Sequence, residues 1–436
     1  MNFKIKKKEG LNGELVIPGD KSISHRSIMC ASLAEGESEI IGFLEGEDCL
    51  ATIEAFVKMG VNLKKKENKI IVKGVGLHGL NQPKEDLYLG NSGTSMRLLS
   101  GLLAGQNFSS KLTGDNSLSS RPMLRIVNPL TQMGVDISCN KNGMPPLFID
   151  SSNEINGIKY VLPVASAQVK SCLMFAALYA NEESEIIENE QTRDHSERMF
   201  KKFGIQILEE SSVNKKIIKI QPATKLNATT LNIPGDFSSA AFFILAATIN
   251  PDSELTLKNV GLNPTRTALL TVLMEMGANI EIKNSRDDYE PSADILVKSS
   301  RLDGIDLDEK LISNLIDELP VLFIAAAFAN GLTKIRGAEE LRTKESDRLE
   351  AMSKSLSALG VNYDLFEDGI DIKGNSNFNK SVKINSFGDH RIAMASAVAC
   401  SMIDGDNIIE NVNNVSTSFP NFVQISNSIG MDIDHI

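Results

Sequence analysis

Residues 51–74 read ATIEAFVKMGVNLKKKENKIIVKG: an amphipathic stretch that closes on Met59-Gly60, then two β-rich runs joined by a polar turn. A glycine just past a helix end suits the left-handed C-cap, which other residues enter only at a cost. The runs on either side of the turn have the composition of a hairpin. The same grammar of apolar residue, glycine and strand returns at Gly134, Gly204, Gly277, Gly360 and Gly430, so the six glycines stand 74, 70, 73, 83 and 70 residues apart. IQILEESSVNKKIIKIQ after Gly204 and VNYDLFEDGIDIKG after Gly360 repeat the paired β runs, whereas the sixth copy stops at MDIDHI. Six matches in near register predict internal repetition of one supersecondary unit that mixes strands with helices, roughly seventy residues each.

At 436 residues and 42% hydrophobic content the chain exceeds what one core accommodates, so two domains of three repeats each are expected. The phrase Pro18-Gly19-Asp20 returns as Pro234-Gly235-Asp236, each time after an apolar strand, ELVI or TLNI. These pairs mark the expected crossings: residues 21–233 form one domain, residues 1–20 with 234–436 the other, and a hinge falls near 18–20 and 234–236. Ligand sites commonly lie in the cleft between such halves.

The formal net charge of -11 argues against nucleic acid or an anionic membrane as a partner. Five scattered cysteines, Cys30, Cys49, Cys139, Cys172 and Cys400, show neither disulfide-framework nor zinc-ligand spacing. With no apolar run of signal or membrane-spanning length, a cytoplasmic location is expected. Small anionic substrates remain compatible with the charge, because they need only a local cluster of cations.

Such cations stand at the starts of apolar helices. PGDKSISHRSIMCASLA, from Pro18, brings Lys21, Ser22, Ser24 and Arg26 to one N-terminus, where free N–H groups, hydroxyls and charge suit a phosphate. LGNSGTSMRLLSGLLAG, from Leu89, offers close backbone approach at Gly93 with Arg97 in the first turn, and lacks the P-loop pattern. TGDNSLSSRPM supplies Arg121, fit for bidentate phosphate or carboxylate contact. VASAQVKSCLMFAALYA places Ser166, Gln168 and Lys170 at the entrance of a helix whose apolar part needs no function, and TRDHSERMFKKFG adds Thr192, Arg193 and His195. In the second half, Asp317 of NLIDELPVLFIAAAFA precedes a long apolar run, whose burial is expected to raise its pKa. LRTKESDRLEAM crowds Lys344, Glu345 and Arg348 together, and FGDHRIAMASAVA opens with Asp389, His390 and Arg391. Taken singly, each is equally well an ordinary capped helix or a solvated charged turn. Together they predict a two-domain enzyme that binds more than one anionic group.

The words PGDKSISHR, NSGTSMRLL, SSRPM, ASAQVKS, TRDHSE, LRTKESDRLEAM and GDHRIAMA, in this order over nearly the whole chain, resemble the 5-enolpyruvylshikimate-3-phosphate synthases, enolpyruvyl transferases. The resemblance implies an α/β (α+β) inside-out barrel architecture of six βαβαββ repeats, three per domain, closing on substrate. It implies transfer of the enolpyruvyl group of phosphoenolpyruvate to the 5-hydroxyl of shikimate 3-phosphate, in aromatic amino acid biosynthesis, by a monomer without metal or organic cofactor. Shikimate 3-phosphate is expected on Lys21, Ser22, Arg26, Ser166, Ala167, Gln168, Arg193, Asp317 and Lys344. Phosphoenolpyruvate is expected on Lys21, Gly93 and Arg121 for its phosphate, on Arg348 and Arg391 for its carboxylate, and also on Gln168. Asp317 is expected as the base for the hydroxyl, Glu345 as the acid for the methylene carbon, and Lys21 in a catalytic role. Three positions depart from the pattern: Thr417 stands where many relatives have a lysine, and Leu98 and Ala167 stand where a better-known branch has proline and serine, so the chain looks closer to a second branch. Lower glyphosate sensitivity is the expectation from that likeness.

The competing acceptor is UDP-N-acetylglucosamine, whose transferases usually carry a reactive cysteine just before the Arg-Pro of the third motif. Here that loop, GDNSLSSRP, has none. An RNA end-processing enzyme of similar repeats should be basic and aromatic along a groove, and this chain is acidic with 5% aromatic residues. A binding protein that kept the fold without catalysis should have lost Lys21, Asp317 or Glu345, all of which are present.

Overall fold

In the computed structural model, which describes residues 1–151, 154–212, 215–374 and 377–436, the six repeat glycines all take positive φ, from 79° at Gly360 to 105° at Gly277. Each follows the second helix of its repeat, as Gly60 follows Glu47–Lys58 and Gly360 caps Arg348–Leu359. A second regularity accompanies them. The carbonyl just before each glycine, on Met59, Met133, Phe203, Met276, Leu359 and Ile429, accepts a backbone N–H from Asn81, Asn156, Asn227, Asp303, Asn379 and Asn12 respectively, at 2.8–3.2 Å. These bonds satisfy carbonyls that a helix end leaves open and fix where the next repeat begins.

The chain divides into two units, Met1–Pro18 with Pro234–Ile436, and Gly19–Ile233. Each contains three mixed sheets of one pattern. In the third repeat of the 19–233 unit, Lys159–Val161 runs parallel to Ser184–Glu188, which pairs antiparallel with Lys215–Ile220, and Ile207–Ser212 forms the far edge. The tip of that hairpin, Val213-Asn214, lies outside the described residues. The leading strands explain the two crossings. Thr230–Asn232 pairs parallel with Ala34–Ile41 and so completes the first sheet of its own unit, although the chain next enters a helix of the other. Asn12–Val16 does the same for Glu254–Gly261. At the first crossing motif, Pro18-Gly19-Asp20, the backbone is tight: a Cβ on Gly19 would lie 1.8 Å from the Gly42 carbonyl oxygen, a distance that excludes any side chain.

The sixth repeat, which in sequence stops at MDIDHI, is completed from the other end of the chain. Phe3–Lys6 inserts antiparallel between Asn407–Glu410 and Asp432–His435. In the fifth repeat the leading strand shrinks to two parallel bridges, Asp303 to Asn330 and Asp306 to Lys334. No sheet closes into a barrel among the described residues.

The first helix of every repeat is buried almost all round: Lys21–Leu33, Gly93–Ala104 and Ala167–Ala177 in one unit, Phe237–Ile249, Leu319–Phe328 and His390–Cys400 in the other. Helices apolar on all faces belong in a core, and in the second unit Phe242 and Phe243 pack with Phe419, Phe422 and Phe3. Each fully buried phenylalanine contributes about 1.5–3 kcal/mol. The core requirement pushes polar residues to the helix starts, where Asp20, Ser92, Ser166, Asp236 and Asp389 cap the first turns with their side chains. Packing therefore decides where chemistry can sit. Among the described residues no single helix is long and apolar enough to cross a membrane.

Candidate active site

In the 19–233 unit three helix starts carry the expected residues. Asp20 caps Lys21–Leu33 by accepting from the Ile23 N–H, which leaves the first turn to Lys21 and Ser22. Lys21 is partly exposed and its ammonium pairs with the buried carboxylate of Asp48. Arg26, one turn on, is buried: Nε donates to Ser196 Oγ at 2.7 Å, Nη2 to Ser171 Oγ at 2.7 Å, and Nη1 to the Ser22 carbonyl at 3.0 Å. Burial brings its pKa down to about 10, against the opposing fields of Glu197 and Asp20, so it stays cationic at neutral pH.

Gly93 opens the second helix, capped by Ser92, whose Oγ accepts from the Ser95 N–H at 3.1 Å. A Cβ on Gly93 would lie 3.0 Å from Arg121 Nη1 and 3.1 Å from Arg97 Nη1, so two guanidinium groups flank this backbone. Arg121 is further held by Asn91 Oδ1 at 2.6 Å and Ser117 Oγ at 3.3 Å. Arg97 donates to Gln168 Oε1, and Gln168 Nε2 donates to Thr94 Oγ1 at 3.0 Å, which ties the Gly93 helix start to that of Ala167–Ala177. Ser166 caps the latter, and Ser166, Ala167 and Gln168 are all half-buried. Two cations around one helix N-terminus form a seat for an oxyanion.

Arg97, placed by the sequence in the first turn of this helix but assigned to no substrate, flanks Gly93. Its signal was available: a long helical side chain leans back over the preceding turn, so an arginine four residues past Gly93 covers that glycine. Lys170 goes the other way. It is fully buried, with Nζ 3.0 Å from Glu188 and 2.8 Å from Glu197, and Lys216 joins Glu197 at 3.6 Å. Thr192 caps this network by donating its N–H to Glu188 at 3.2 Å. Lys170 is therefore a structural counter-ion, while half-buried Arg193 lies close enough to Arg26 to lower that group's pKa.

In the other unit the charges centre on Arg348, 1% exposed at the start of Arg348–Leu359. Nε donates to Asp389 Oδ2 at 2.8 Å, Nη2 to Glu345 Oε2 at 2.5 Å, and Nη1 to Asp317 Oδ1 at 3.3 Å. Burial disfavours its charge, but Asp389, Glu345 and Asp317 outweigh it and raise the pKa. Asp389 also caps His390–Cys400 by accepting the Arg391 N–H at 2.9 Å. Arg391 Nη1 donates to the Asp317 carbonyl oxygen at 3.0 Å, and its Nη2 lies 3.7 Å from the Asp317 carboxylate. Lys344 pairs with Glu340 at 2.9 Å.

The surroundings expected for Asp317 need correction. The apolar helix begins only at Leu319, so Asp317 is half-buried between two guanidinium groups rather than in apolar surroundings. The fully buried neighbour is Glu318, which accepts from Ser238 and lies 3.7 Å from Arg266 and 4.0 Å from Arg391. Thr417 is buried and donates to the Asn414 carbonyl at 2.7 Å.

The sequence model of the family described as EPSP synthase (3-phosphoshikimate 1-carboxyvinyltransferase) matches residues 5–425. A 3-phosphoshikimate 1-carboxyvinyltransferase of Legionella pneumophila (strain Lens) is 50% identical over 436 residues, 100% of this chain and 99% of that protein. One of Ruthia magnifica subsp. Calyptogena magnifica is 51% identical over 433 residues, 99% of this chain and 98% of that protein. The structure of EPSP synthase from Acinetobacter baumannii superposes with a TM-score of 0.88 at 44% identity, covering 100% of both chains. The enolpyruvyl transferase NikO from Streptomyces tendae reaches a TM-score of 0.79 over 100% of this chain and 98% of its own, and at 14% identity that likeness concerns the fold alone.

Proposed function

Because the chain belongs to the EPSP synthase family, we propose that it transfers the enolpyruvyl group of phosphoenolpyruvate to the 5-hydroxyl of shikimate 3-phosphate and releases inorganic phosphate. The observation that carries this reading is the seat at Gly93, where the absent Cβ leaves room for an oxyanion between Arg97 and Arg121. The reaction draws on both sets of residues. In the 19–233 unit, Lys21, Gly93, Arg121 and Gln168 take the phosphate of phosphoenolpyruvate. Lys21, Ser22, Ser166, Ala167, Gln168 and Arg193 take shikimate 3-phosphate, with Arg26 bracing the Ser22 carbonyl from behind. In the other unit, Arg348 and Arg391 take the carboxylate of phosphoenolpyruvate, and Asp317 and Lys344 serve the second substrate.

The chemistry is an addition followed by an elimination. The methylene carbon gains a proton from Glu345 while the 5-hydroxyl oxygen bonds to the carbon bearing phosphate and gives its proton to Asp317. The tetrahedral adduct then returns a methyl proton to Glu345 and expels phosphate together with its bridging oxygen, which takes up the proton held by Asp317, regenerating the double bond. Fixed cations stabilise the charge on phosphate and carboxylate without reorganising during the step. The ion pairs of Arg348 with Glu345 and Asp317 give a route by which the acid and base are released. A substrate carboxylate on Arg348 and Arg391 competes with Glu345 and Asp317 for the same nitrogens, and a carboxyl relieved of its counter-ion can hold or accept a proton. Thr417 supplies no charge, and Arg97 joins Arg121 as a cation of the phosphate seat. The proposal includes a cytoplasmic monomer that acts without a cofactor.

Phosphate release from phosphoenolpyruvate, followed with shikimate 3-phosphate or with UDP-N-acetylglucosamine as acceptor, tests the reading. Release is expected with the first only. Turnover with the second alone would replace this acceptor by the other.

A further inference from the structure

His25 lies one turn beyond Lys21, fully buried, and is no part of the machinery described so far. Its Nδ1 stands 2.8 Å from Thr52 Oγ1 and 3.2 Å from Ser95 Oγ. Thr52 Oγ1 stands 2.6 Å from Ser95 Oγ, which in turn lies 2.7 Å from Ser92 Oγ, the cap of the Gly93 helix. All four residues are at most 1% exposed. The chain therefore joins three helix starts within one unit: Lys21–Leu33, Glu47–Lys58, whose Asp48 pairs with Lys21, and Gly93–Ala104.

The direction of the hydrogen bonds follows from burial. His25 Nε2 is buried without a hydrogen-bond partner. An orphaned N–H in that position is worse than a bare lone pair, so the proton sits on Nδ1. Nδ1–H then donates to Thr52 Oγ1, whose own hydroxyl faces both Ser95 Oγ at 2.6 Å and the Asp48 carbonyl at 3.3 Å, and Ser95 and Ser92 share the next bond, with Ser92 Oγ also receiving the Ser95 N–H. Aligned bonds of this kind polarise one another and hold one geometry. We propose that His25 is a positioning residue: through Thr52, Ser95 and Ser92 it sets the Lys21 ammonium at a fixed place relative to the backbone N–H groups at Gly93, and so tunes the grip on the phosphate of phosphoenolpyruvate.

This inference rests on the reading of the site given above. Its test uses the full-length protein and compares His25→Leu, which removes the donor at similar volume, with His25→Asn, which restores an N–H near Nδ1. KM for both substrates, kcat and thermal midpoint are measured for each. His25→Leu is expected to raise KM for phosphoenolpyruvate about tenfold, equivalent to about 1.4 kcal/mol, with a smaller change in KM for shikimate 3-phosphate, and His25→Asn is expected to recover most of it. Thr52→Val breaks the same chain from another helix and should give the same split, which keeps the test open if His25→Leu does not fold. Unchanged KM values in folded variants, or a loss shared equally by all kinetic constants in step with the thermal midpoint, overturns the positioning role alone. A parent enzyme that releases no phosphate with shikimate 3-phosphate overturns the function and this inference together.

Discussion

Replacing Gly101 by alanine would place a Cβ 1.9 Å from the Cys172 carbonyl oxygen, 2.7 Å from its carbonyl carbon and 3.1 Å from its Cα, all backbone atoms that cannot rotate away. Gly101 lies in Gly93–Ala104 and Cys172 in Ala167–Ala177, so the two buried helices must separate by at least about 1.1 Å to reach a tolerable 3.0 Å. Two effects of opposite sign compete. Helix propensity favours alanine by about 1 kcal/mol, whereas overpacking of a core costs about 1–3 kcal/mol and more where backbone is struck. The net loss is expected near 2 kcal/mol, a drop of about 4–8 °C in the thermal midpoint for a unit of this size. The same displacement carries Gln168 away from Thr94 and from Arg97, and a misplacement near 1 Å at a site costs about a hundredfold in rate. Thermal unfolding together with kcat/KM for phosphoenolpyruvate measures both. A Gly101→Ala variant that melts above the parent and keeps its kcat/KM would refute the close approach of these helices.

Arg97→Ala removes one flank of the anion seat and is expected to raise KM for phosphoenolpyruvate by about 10–100-fold, the worth of a charged hydrogen bond, with Arg97→Lys recovering only part because the planar fork is lost; steady-state kinetics decides. Lys170→Met leaves Glu188 and Glu197 buried without their shared ammonium and should cost about 3–5 kcal/mol in denaturant unfolding, with Glu188→Gln added to it restoring part of the loss. Burial, reinforced by Lys21 and Arg26, holds the His25 imidazole well below its ordinary pKa of 6.5. The folded state therefore binds fewer protons there than the unfolded chain, so the stability tied to neutral His25 is complete above that value and is lost as pH falls below it. From about pH 6.5 to about pH 5 this contributes up to about 1.4 kcal/mol per pH unit, and a His25→Asn variant should show a correspondingly shallower acid limb in pH-dependent unfolding.

Much of the fold was legible because its repeat has a local cause. Each glycine must end a helix in the left-handed region, and that need shows as a single residue type at near-regular spacing. The helix starts were legible for a similar reason, since capping residues and cations at the head of an apolar run are local in sequence. What escaped depends on partners far apart. The pairing of Phe3–Lys6 with Asp432–His435 spans the whole chain, and an isolated FKIK gives no sign of its neighbours. Whether a charged residue faces substrate or counter-ion escaped as well. Lys170 and Lys21 read alike at the heads of their helices, yet one is sealed between Glu188 and Glu197 and the other is partly exposed beside Asp48. Asp317 was placed by the apolar run after it, and the two arginines that govern its surroundings lie 31 and 74 residues downstream.

The proposed chemistry breaks the bond between carbon and the bridging oxygen of phosphoenolpyruvate, which separates it from any hydrolysis or phosphoryl transfer that cleaves the oxygen–phosphorus bond. Phosphoenolpyruvate labelled with heavy oxygen at the bridging atom, incubated with the enzyme and shikimate 3-phosphate, should deliver all of that label to inorganic phosphate, and none should be released when the acceptor is omitted. Label retained in pyruvate, or released without acceptor, would contradict the account.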